Sequence, residues 1–500
     1  MMRKKIKSII AIIIVLSTIF ALVGCGESKK TGLNDDTVTV VWVMEGDEPT
    51  SEQYDKVWKK VNEMLLEDLN VQVELEFLGY TNPDNQKQLR LASGTNDFEM
   101  MKMGGSLLAQ LAPRFAFAEL TDELLQENMP LMMKALEIDP TRIEGGKVDG
   151  VQYAIPMMKT NISNSCVAIR GDLREKYGLD VPTCKEDIYE YIKVIVANES
   201  GMMGLQKSLA LWSFYYQGDV SWGALTGTDN YVLFDATEEC NLFMKYTTEE
   251  YYNYALLCRE LKEAGCWSTD AINDSRSAED LFESGLTAAY FHNVDTCGMR
   301  AQNMPEEWNV EIYRFGDCGD VASSPSASTM VFNPNSEHLE SALQVLDLFM
   351  FDEEYYNLIQ LGFEGENWED AGEGYYRDLD GNLPETEQYK GNWYATWNLI
   401  NKDFERRNIE NYTGVNEIFN KAQEEGIVHP LTKMIFNSEV IPTEKAVIWS
   451  EISRYANALE FGMVADVDTY YKNLINALET AGLDKFMAEV QKQAEEFLKN

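Results

Sequence analysis

Hydrophobic and polar positions alternate along the chain in a way that predicts strands and helices in turn. The apolar run 38–43 is short enough for a buried strand, and the alternation over 71–77 is typical of a second strand. Between them, apolar residues recur at helical spacing over 54–69, after the candidate caps Thr50 and Ser51. A strand, a helix and a strand in this order predict a right-handed crossover between two parallel strands.

The alternation of strands and helices continues further along the chain. Residues 86–93 predict a helix, and residues 98–103 predict a buried strand that ends at Gly104. The pattern then predicts strands at 166–169 and 286–291 and helices at 189–197, 254–264 and 339–350. From about residue 362 onward it predicts mostly helices, with a last apolar stripe between 471 and 486. This order of elements is typical of an α/β fold.

The start of the chain has the pattern of an export signal. Basic residues precede a mostly apolar run of about fifteen residues, Ile9–Val23, which is shorter than the roughly twenty that a helix needs to span a bilayer. Residues 1–24 therefore predict a secretory signal peptide. The motif LVGC at 22–25 resembles the lipobox of bacterial lipoproteins, which implies cleavage before Cys25 and lipidation of its thiol. An uncleaved signal anchor or an accidental cysteine is the alternative, and residues 25–36 predict a flexible tether.

Composition limits the function classes. Five hundred residues are enough for two or three compact units, and 45% hydrophobic residues supply their cores. The formal net charge is −41, and removal of the four basic residues of the signal peptide takes it to −45. Such a surface repels phosphate backbones and anionic headgroups, so we expect no nucleic-acid partner and contact with the membrane only through the lipid anchor.

Cysteines and histidines give no sign of a metal or redox site. Beyond Cys25, seven cysteines are widely spaced and form no CxxC pair, so we expect mostly buried thiols, although spacing leaves their pairing open. They are Cys166, Cys184, Cys240, Cys258, Cys266, Cys297 and Cys318. The three histidines, His292, His338 and His429, are not spaced as a metal-binding pair, so we expect neither a metal nor a cofactor.

Eight stretches of the chain together carry a family resemblance. They are LASGTNDFEMM (91–101), GVQYAIP (150–156), LKEAGCW (261–267), FESGLTAAYF (282–291), FNPNSEHLESALQVLDLF (332–349), GFEGENW (362–368), GNWYATWN (391–398) and AGLDKFMAEVQKQ (481–493). In this order and spacing they resemble the family 1 extracellular solute-binding lipoproteins of bacterial carbohydrate ABC transporters, in the long branch found on Gram-positive cells. Two departures, Tyr290-Phe291 and Trp393, fall at expected ligand-facing turns and bear on which ligand is bound.

The resemblance implies an α/β fold of two lobes, the type II periplasmic-binding-protein-like fold, with a ligand cleft between the lobes and extra C-terminal helices. Its expected N-terminal lobe comprises 37–160 and 324–362, and its expected C-terminal lobe comprises 161–323 and 363–500. The implied function is capture of an oligosaccharide and its delivery to the permease subunits of an ABC importer. We expect a lipid-anchored, extracellular monomer that is not an enzyme.

Candidate ligand residues follow the predicted strands, because the carboxyl ends of strands in such sheets face the crevice. Glu45 and Asp47 come after the first strand, and their carboxylates suit hydrogen bonds from sugar hydroxyls; a solvated acidic turn is the alternative for Asp47. Asp97 stands just before the third strand, where stabilisation of a turn is the alternative. His292, Asn293 and Asp295 follow the strand at 286–291, and His292 equally fits a buried, capped side chain.

Aromatic residues are the second group of candidates, because sugar rings present apolar faces that stack on aromatic side chains. The segment 211–223 has no helical period and is interpreted as a loop, in which Trp212, Tyr216 and Trp222 are candidate platforms; a core cluster is the alternative. The resemblance also brings Trp393 or Trp397 to the cleft as a stacking residue, while Trp368 is interpreted as structural.

Closure of the cleft is expected to involve rotation about segments near 155–161 and 323–329, with the ligand bridging both lobes. Two other readings stay open. One is a surface glycosidase that uses two carboxylates, although 83 acidic residues make any such pair uninformative. The other is a binding protein for a different solute, or one that reports to a sensor.

Overall fold

The structure is a computed structural model that describes residues 36–79, 82–95, 97–162, 164–206, 209–268, 271–274, 276–316, 318–391 and 396–499. The predicted signal peptide, Cys25 and all but the last residue of the predicted tether lie outside the described residues. Within the described ranges, no helix combines the length and the apolar character that crossing a membrane requires.

The strands are numbered in chain order. They are β1 (Val38–Met44), β2 (Val71–Phe77), β3 (Met100–Met103), β4 (Lys147–Val148), β5 (Val151–Gln152), β6 (Ala154–Pro156), β7 (Ser165–Arg170), β8 (Trp222–Ala224), β9 (Val232–Asp235), β10 (Leu242–Met244), β11 (Ala289–Asn293), β12 (Val310–Tyr313), β13 (Thr329–Phe332), β14 (Trp368–Gly372), β15 (Tyr375–Asp378) and β16 (Arg407–Asn408).

The α-helices are numbered in the same way. They are α1 (Glu52–Asp68), α2 (Pro83–Ser93), α3 (Gly105–Leu111), α4 (Asp122–Asn128), α5 (Pro130–Leu136), α6 (Gly171–Lys176), α7 (Lys185–Asn198), α8 (Leu209–Tyr216), α9 (Glu249–Glu263), α10 (Ala278–Glu283), α11 (Val294–Gln302), α12 (Leu339–Phe351), α13 (Glu353–Leu361), α14 (Val415–Glu425), α15 (Pro442–Glu460), α16 (Val467–Thr480) and α17 (Leu483–Leu498).

The first lobe is built on a five-stranded sheet in the order β2-β1-β3-β13-β6. β1 pairs with β2 and with β3 in parallel, whereas β13 runs antiparallel to β3 and β6. The predicted crossover is confirmed: α1 joins β1 to β2, and the Ser51 side chain caps it by accepting a hydrogen bond from the Gln53 amide at 3.2 Å. The carboxyl ends of β1, β2 and β3 therefore point to the same side of the first lobe.

The second lobe contains two antiparallel sheets, β11-β7-β12 and β10-β9-β8. Helices α7, α8 and α9 and the C-terminal helices α15 to α17 contribute to one hydrophobic core with these sheets. The expected α/β architecture of two lobes with extra C-terminal helices is confirmed.

One sequence-based element prediction is incomplete and another is wrong. The chain after residue 362 is mostly helical, as predicted, but it begins with a small sheet formed by β14, β15 and β16. Most of its strand residues are exposed or half-buried, so they lack the apolar alternation that reveals a strand. The segment interpreted as a loop at 211–223 begins in α8, whose buried residues surround the helix and so leave no amphipathic period.

Chain segments that join the lobes run side by side where the hinge was expected. The Met157 amide donates to the Ser328 carbonyl at 3.1 Å, and the Ser323 amide donates to the Asn161 carbonyl at 2.8 Å. Rotation of the lobes about these segments stays a prediction.

Packing after residue 362 bears on the predicted lobe boundaries, which remain predictions. Tyr389 and Leu399 lie in the core of the first lobe, next to the residues of α1 and α13. Val415 and Phe419 of α14 pack against the β11-β7-β12 sheet of the second lobe. This packing favours a boundary nearer residue 400 than residue 362.

Each of the seven cysteines in the described part of the chain is a free thiol. Cys166, Cys258, Cys266 and Cys297 are buried, and the other three are half-buried. The expectation of mostly buried thiols is confirmed. Burial raises the pKa of Cys297 and of Cys266 to about 12, so both stay protonated at neutral pH.

Candidate ligand-binding site

A cavity of about 460 Å³ lies at the carboxyl ends of β1 and β2 in the first lobe. It is lined by residues 46–48, which follow β1, and by residues 75–79, at the end of β2. Asp47 is exposed in its wall, and the wall also contains Phe77, whose half-buried ring packs against Tyr54 at 6.5 Å between ring centroids. The volume lies in the range of small-molecule sites, and carboxylates beside an aromatic ring are the groups that a sugar ring requires.

Glu45 lies beside this cavity but is held by two lysines. Its carboxylate is 3.2 Å from the Lys87 ammonium and 3.1 Å from the Lys102 ammonium. Burial alone would raise the pKa of Glu45, but the two lysine charges together hold that pKa below its ordinary value. Glu45 is therefore an ionised link between β1, α2 and β3.

Asp97 occupies the turn before β3. Its carboxylate accepts hydrogen bonds from Arg90 Nε at 3.1 Å and from Thr95 Oγ1 at 2.9 Å. Arg90 also reaches Glu76, with an Nη2–Oε2 distance of 2.7 Å. These contacts are those of a turn-stabilising carboxylate, and a role of Asp97 in ligand binding stays a prediction.

A second cavity of about 420 Å³ lies in the second lobe, along the free edge of β11. The Gly204 carbonyl accepts a hydrogen bond from the Ala289 amide, and Gln206 of the same segment lines the cavity. Its polar and aromatic lining consists of Gln206, Asp274, Arg276, Ser277, Glu279, Tyr290, Phe291 and His292. Arg276 is paired with Asp274 at 2.6 Å, and the Tyr290 hydroxyl donates to Glu279 at 3.0 Å.

His292 is the predicted residue that reaches the second cavity. Its ring stacks on Tyr290 with a centroid distance of 5.8 Å and an interplanar angle of 15°, and its Nδ1 accepts a hydrogen bond from the Asn293 amide at 2.9 Å. Burial lowers the pKa of His292, so the imidazole is neutral at pH 7. A neutral ring that accepts at Nδ1 carries its proton on Nε2, where it can donate to a sugar hydroxyl.

Asn293 and Asp295 have structural partners next to the cavity. The Asn293 side chain caps α11 by accepting from the Thr296 amide at 2.8 Å. The Asp295 carboxylate lies 2.6 Å from Arg407 Nη2. These bonds are compatible with ligand binding but do not require it, so ligand contacts by Asn293 and Asp295 stay predictions.

Trp212 and Tyr216 lie inside the second lobe. Trp212 is 7% exposed and packs against Tyr216 at 5.1 Å and against Tyr254 at 5.2 Å between ring centroids. Trp222, at the start of β8, is half-buried and meets Phe243 edge-on at 4.7 Å. This packing is typical of a core cluster. Ligand stacking by Trp212, Tyr216 and Trp222 stays a prediction, and the burial of Trp212 and Tyr216 disfavours it.

Trp397 is 40% exposed near the crossing segments, where the Met158 amide donates to the Ile400 carbonyl at 2.9 Å. Trp393 lies outside the described residues. Trp368 is buried and donates from Nε1 to the Gly362 carbonyl at 3.1 Å, as expected for a structural residue.

Of the predicted ligand residues, Asp47 and His292 line the two cavities, one in each lobe. Phe77, Arg276 and Glu279 were missed. The position of Phe77 at the carboxyl end of a predicted strand was a usable signal, whereas Arg276 and Glu279 are brought to the cavity by a segment without periodicity. Among the residues that the structure describes, no three His, Cys, Asp or Glu side chains form a group suited to a metal ion.

Known proteins resemble the chain over nearly its whole length. A relative from Streptococcus pneumoniae, a carbohydrate ABC transporter substrate-binding protein, is 24% identical and covers 95% of this chain and 94% of its own. The fold also matches the N-glycan transport solute-binding protein NgtS from Streptococcus pneumoniae in complex with Man1GlcNAc, with a TM-score of 0.71, 21% identity and coverage of 92% and 100%. An extracellular solute-binding protein from Bifidobacterium longum subsp. infantis matches with a TM-score of 0.65, 17% identity and coverage of 94% and 100%.

Family matches cover two parts of the chain. Residues 430–499 match a domain of unknown function. Residues 49–356, more than half of the chain, match the bacterial extracellular solute-binding proteins. The chain therefore belongs to the bacterial extracellular solute-binding protein family.

Proposed function

We propose that the protein is a lipid-anchored extracellular substrate-binding protein that captures an oligosaccharide and delivers it to the permease subunits of an ABC importer. The observation that carries this proposal is the pair of cavities, one in each lobe, each of which combines aromatic rings with hydrogen-bonding side chains. A ligand long enough to reach both cavities is an oligosaccharide rather than a single sugar.

The relatives support the chemical class of the ligand. The relative from Streptococcus pneumoniae bears the name of a carbohydrate transporter component, and NgtS forms complexes with Man1GlcNAc and Man5GlcNAc. The identity of 21% to 22% to NgtS supports a shared fold, and calorimetry with different saccharides determines the sugar composition of this protein's ligand.

In the proposed mechanism, the first lobe holds one end of the saccharide against Phe77 and Asp47, and the second lobe holds another part near His292. Rotation about the crossing segments near 155–161 and 323–329 brings the lobes together, and the ligand favours the closed arrangement because it bridges them. A micromolar dissociation constant requires about 8 kcal/mol, which stacked rings and several hydrogen bonds can supply.

Export and anchoring complete the proposal. The signal peptide directs the chain outside the cell, and acylation of Cys25 holds it at the membrane, where the monomer meets its permease. Replacement of Cys25 by serine should release the protein into the medium. Retention of the Cys25→Ser variant at the membrane would contradict lipid anchoring without bearing on sugar binding.

Titration calorimetry tests the binding function. The soluble protein from residue 26 onward is titrated with neutral oligosaccharides of two to six units, including those built from mannose and N-acetylglucosamine, and with peptides as a control. We expect heat from at least one oligosaccharide and a clear loss of affinity in Phe77→Ala and His292→Ala. Silence with every saccharide together with binding of a peptide would overturn the proposal, and turnover of a glycoside would replace it with the glycosidase reading.

A further inference from the structure

The short segment 433–439 lies between the two lobes, and we name it the interlobe strap. Burial alternates along it; residues 434–437 are extended between two 3₁₀-helices, Pro430–Lys433 and Ser438–Val440, so that successive side chains point to opposite sides. One set of residues is buried in the second lobe, namely Met434, Phe436 and Ser438. The alternate set contacts the first lobe, namely Lys433, Ile435, Asn437 and Glu439.

The second lobe fixes the strap firmly. The Phe436 amide donates to the Thr226 carbonyl at 2.9 Å, and the Phe436 ring meets Phe486 of α17 edge-on at 5.6 Å. The Gln493 side chain binds both backbone groups of Asn437, accepting from its amide at 3.0 Å and donating to its carbonyl at 3.1 Å. The strap therefore moves with the C-terminal helices as one body.

The first lobe meets the strap at three separate polar points. Lys433 Nζ lies 2.6 Å from Thr141 Oγ1, Asn437 Nδ2 lies 2.7 Å from Asp149 Oδ2, and Arg114 Nη2 lies 3.0 Å from a Glu439 carboxylate oxygen. These three first-lobe residues belong to different elements. Thr141 lies in the 3₁₀-helix Pro140–Gly146, Asp149 lies in the β4–β5 turn, and Arg114 lies in the short stretch after α3. Ile435 adds an apolar contact with the core formed around β3 and α3.

These contacts lie away from the first cavity. The 3₁₀-helix and the β4–β5 turn lead directly into β6, which is one edge of the five-stranded sheet, whereas the cavity lies at β2, the opposite edge. The strap is thus placed to act on the angle between the lobes rather than on the ligand.

We propose that the interlobe strap is a non-covalent connection that holds the two lobes in an arrangement in which their cavities stay apart. In this structure the first cavity is lined by first-lobe residues and the second by second-lobe residues, so a ligand that touches both requires the lobes to rotate. A strap that is rigid on the second lobe cannot keep three spread contacts on the first lobe through such a rotation. It therefore opposes closure until a ligand bridges the lobes.

This proposal assigns a role to residues 430–499, which match a domain of unknown function. Helices α15 to α17 would serve as the support that presents the strap to the first lobe. The role concerns the relative position of the lobes, so it does not depend on the identity of the ligand, although its effect on affinity rests on the proposed function.

The test removes the first-lobe side of the strap and leaves its support intact. The triple variant combines Arg114→Ala, Thr141→Val and Asp149→Gly; glycine suits position 149, where φ is +52°. The matched control combines Lys176→Ala and Lys485→Ala, which remove two exposed lysines from ion pairs that lie wholly within the second lobe and do not involve Gln493. Unchanged melting temperatures, relative to the control, establish that the triple variant is folded.

Fluorescent labels are introduced as unnatural amino acids at Glu127 and Glu263, one exposed position on each lobe, because the seven native thiols exclude maleimide labelling. Without saccharide, we expect a broader interlobe distance distribution in the triple variant than in the control. We also expect saccharide affinity to rise by roughly three- to tenfold, since each exposed polar contact contributes little by itself.

An unchanged interlobe distance distribution, or a weaker affinity for saccharide in the triple variant, would contradict the proposed role of the strap. A broader distance distribution with no binding of any saccharide would support the role of the strap and contradict the proposed oligosaccharide function. Saccharide binding with an unchanged distance distribution would support the oligosaccharide function and contradict the role of the strap.

Discussion

The ammonium of Lys87 lies 3.2 Å from the carboxylate of Glu45, and the Lys87 side chain is only 2% exposed. The same carboxylate reaches Lys102 at 3.1 Å, so that Glu45 ties the end of β1 to α2 and β3. The second carboxylate near Lys87 is that of Asp84, at 3.3 Å, which is 65% exposed. Glu45 is thus the partner that compensates the buried charge at the rim of the first cavity.

Glu45→Gln should therefore destabilise the protein by about 2–3 kcal/mol, because it leaves the buried Lys87 ammonium with only the exposed carboxylate of Asp84 as a counter-ion. Asp84→Asn, the control, should cost less than about 1 kcal/mol because its carboxylate is exposed. Urea unfolding of the three proteins at pH 7 measures both free energies. A Glu45→Gln variant as stable as Asp84→Asn would contradict the assignment.

The same pair predicts a dependence on pH. The lysine charges hold the pKa of Glu45 below its ordinary value, so this ion pair stabilises the folded state fully above that ordinary value, near 4.5. The stabilisation is lost as pH falls through the lowered pKa. The stability difference between the unmodified protein and Glu45→Gln should therefore be largest at neutral pH and should shrink below about pH 4. A difference that is constant from pH 7 to pH 3.5 would argue against an ionised pair.

Truncation to alanine should mainly reduce folding stability at Trp212 and mainly reduce saccharide affinity at Phe77. Trp212→Ala should lower the free energy of unfolding by about 3–5 kcal/mol, because the buried ring leaves a cavity among Tyr216, Tyr251 and Tyr254. Phe77→Ala, at the half-buried rim of the first cavity, should cost much less stability and should weaken saccharide binding by about tenfold, the effect of losing one stacked ring.

Chemical unfolding and calorimetry on both variants separate the two roles. Binding by Trp212→Ala is measured at a temperature where the variant remains folded, so that loss of fold is not mistaken for loss of a contact. A stable Trp212→Ala variant with weakened binding would restore Trp212 as a ligand platform and remove it from the core.

The sequence predicted elements whose periodicity is clean. β1, α1 and β2 were found nearly to the residue because apolar positions repeat there with periods of 2.0 and 3.6. Helix α8 was missed because it is buried on all sides, and β14 to β16 were missed because their residues mostly face solvent. A periodic pattern arises only when one face of an element is buried and the other is exposed. An element that is buried all round, or exposed all round, therefore shows no such pattern.

The candidate site was predictable only near the carboxyl ends of predicted strands, although the structure extends the predicted strand 286–291 through Asn293, so that His292 lies within β11. The rule that carboxyl ends of strands face the crevice placed Asp47 in the first cavity, and a position just past a predicted strand also indicated His292. Arg276 lies just before α10 and Glu279 lies within it, and a helix of six residues is too short for its apolar positions to repeat visibly in the sequence. Aromatic residues in an expected loop, together with the cleft position that the family resemblance implies, indicated Trp212, but an aromatic cluster in a loop is more often part of the core.

Asp347 predicts a further dependence of stability on pH. Its carboxylate, on α12, accepts hydrogen bonds from the amides of Leu131 and Met132 at 2.9 and 2.8 Å, yet burial raises its pKa to about 6. The folded state therefore binds the Asp347 proton more tightly than the unfolded state, so its contribution to stability falls as pH rises from about 4 to about 6. A shift of about two pKa units corresponds to roughly 2–3 kcal/mol.

Comparison with Asp347→Asn isolates this effect, because the other carboxylates are common to both proteins. The unmodified protein should lose stability relative to the variant between pH 4 and pH 7, as measured by urea unfolding at half-unit intervals. If the two stability curves run parallel, the carboxylate is ionised throughout the range and the predicted titration is wrong.

The charges around the first cavity point to the kind of saccharide that it accepts. Among the described residues, the nearby cations are already engaged: Lys87 and Lys102 by Glu45, and Arg90 by Glu76 and Asp97. The exposed carboxylates of Asp47 and Glu48, in the cavity wall, have no cation paired with them in the part of the chain that the structure describes. An acidic sugar would have to place its own carboxylate beside these two.

We therefore expect a saccharide ending in a uronic acid to bind at least about tenfold more weakly than its neutral counterpart of equal length, because like charges in a partly enclosed site repel. The double variant Asp47→Asn, Glu48→Gln should reduce this discrimination, mainly by improving binding of the acidic sugar. Glu127→Gln, which alters an exposed carboxylate of the same lobe outside the cavity, should leave it unchanged. Calorimetry at 20 and 200 mM salt completes the measurement, since screening should narrow the gap between the two saccharides in the unmodified protein. Equal affinity for both saccharides at low salt would show that the end of the ligand held by the first lobe does not face Asp47 and Glu48.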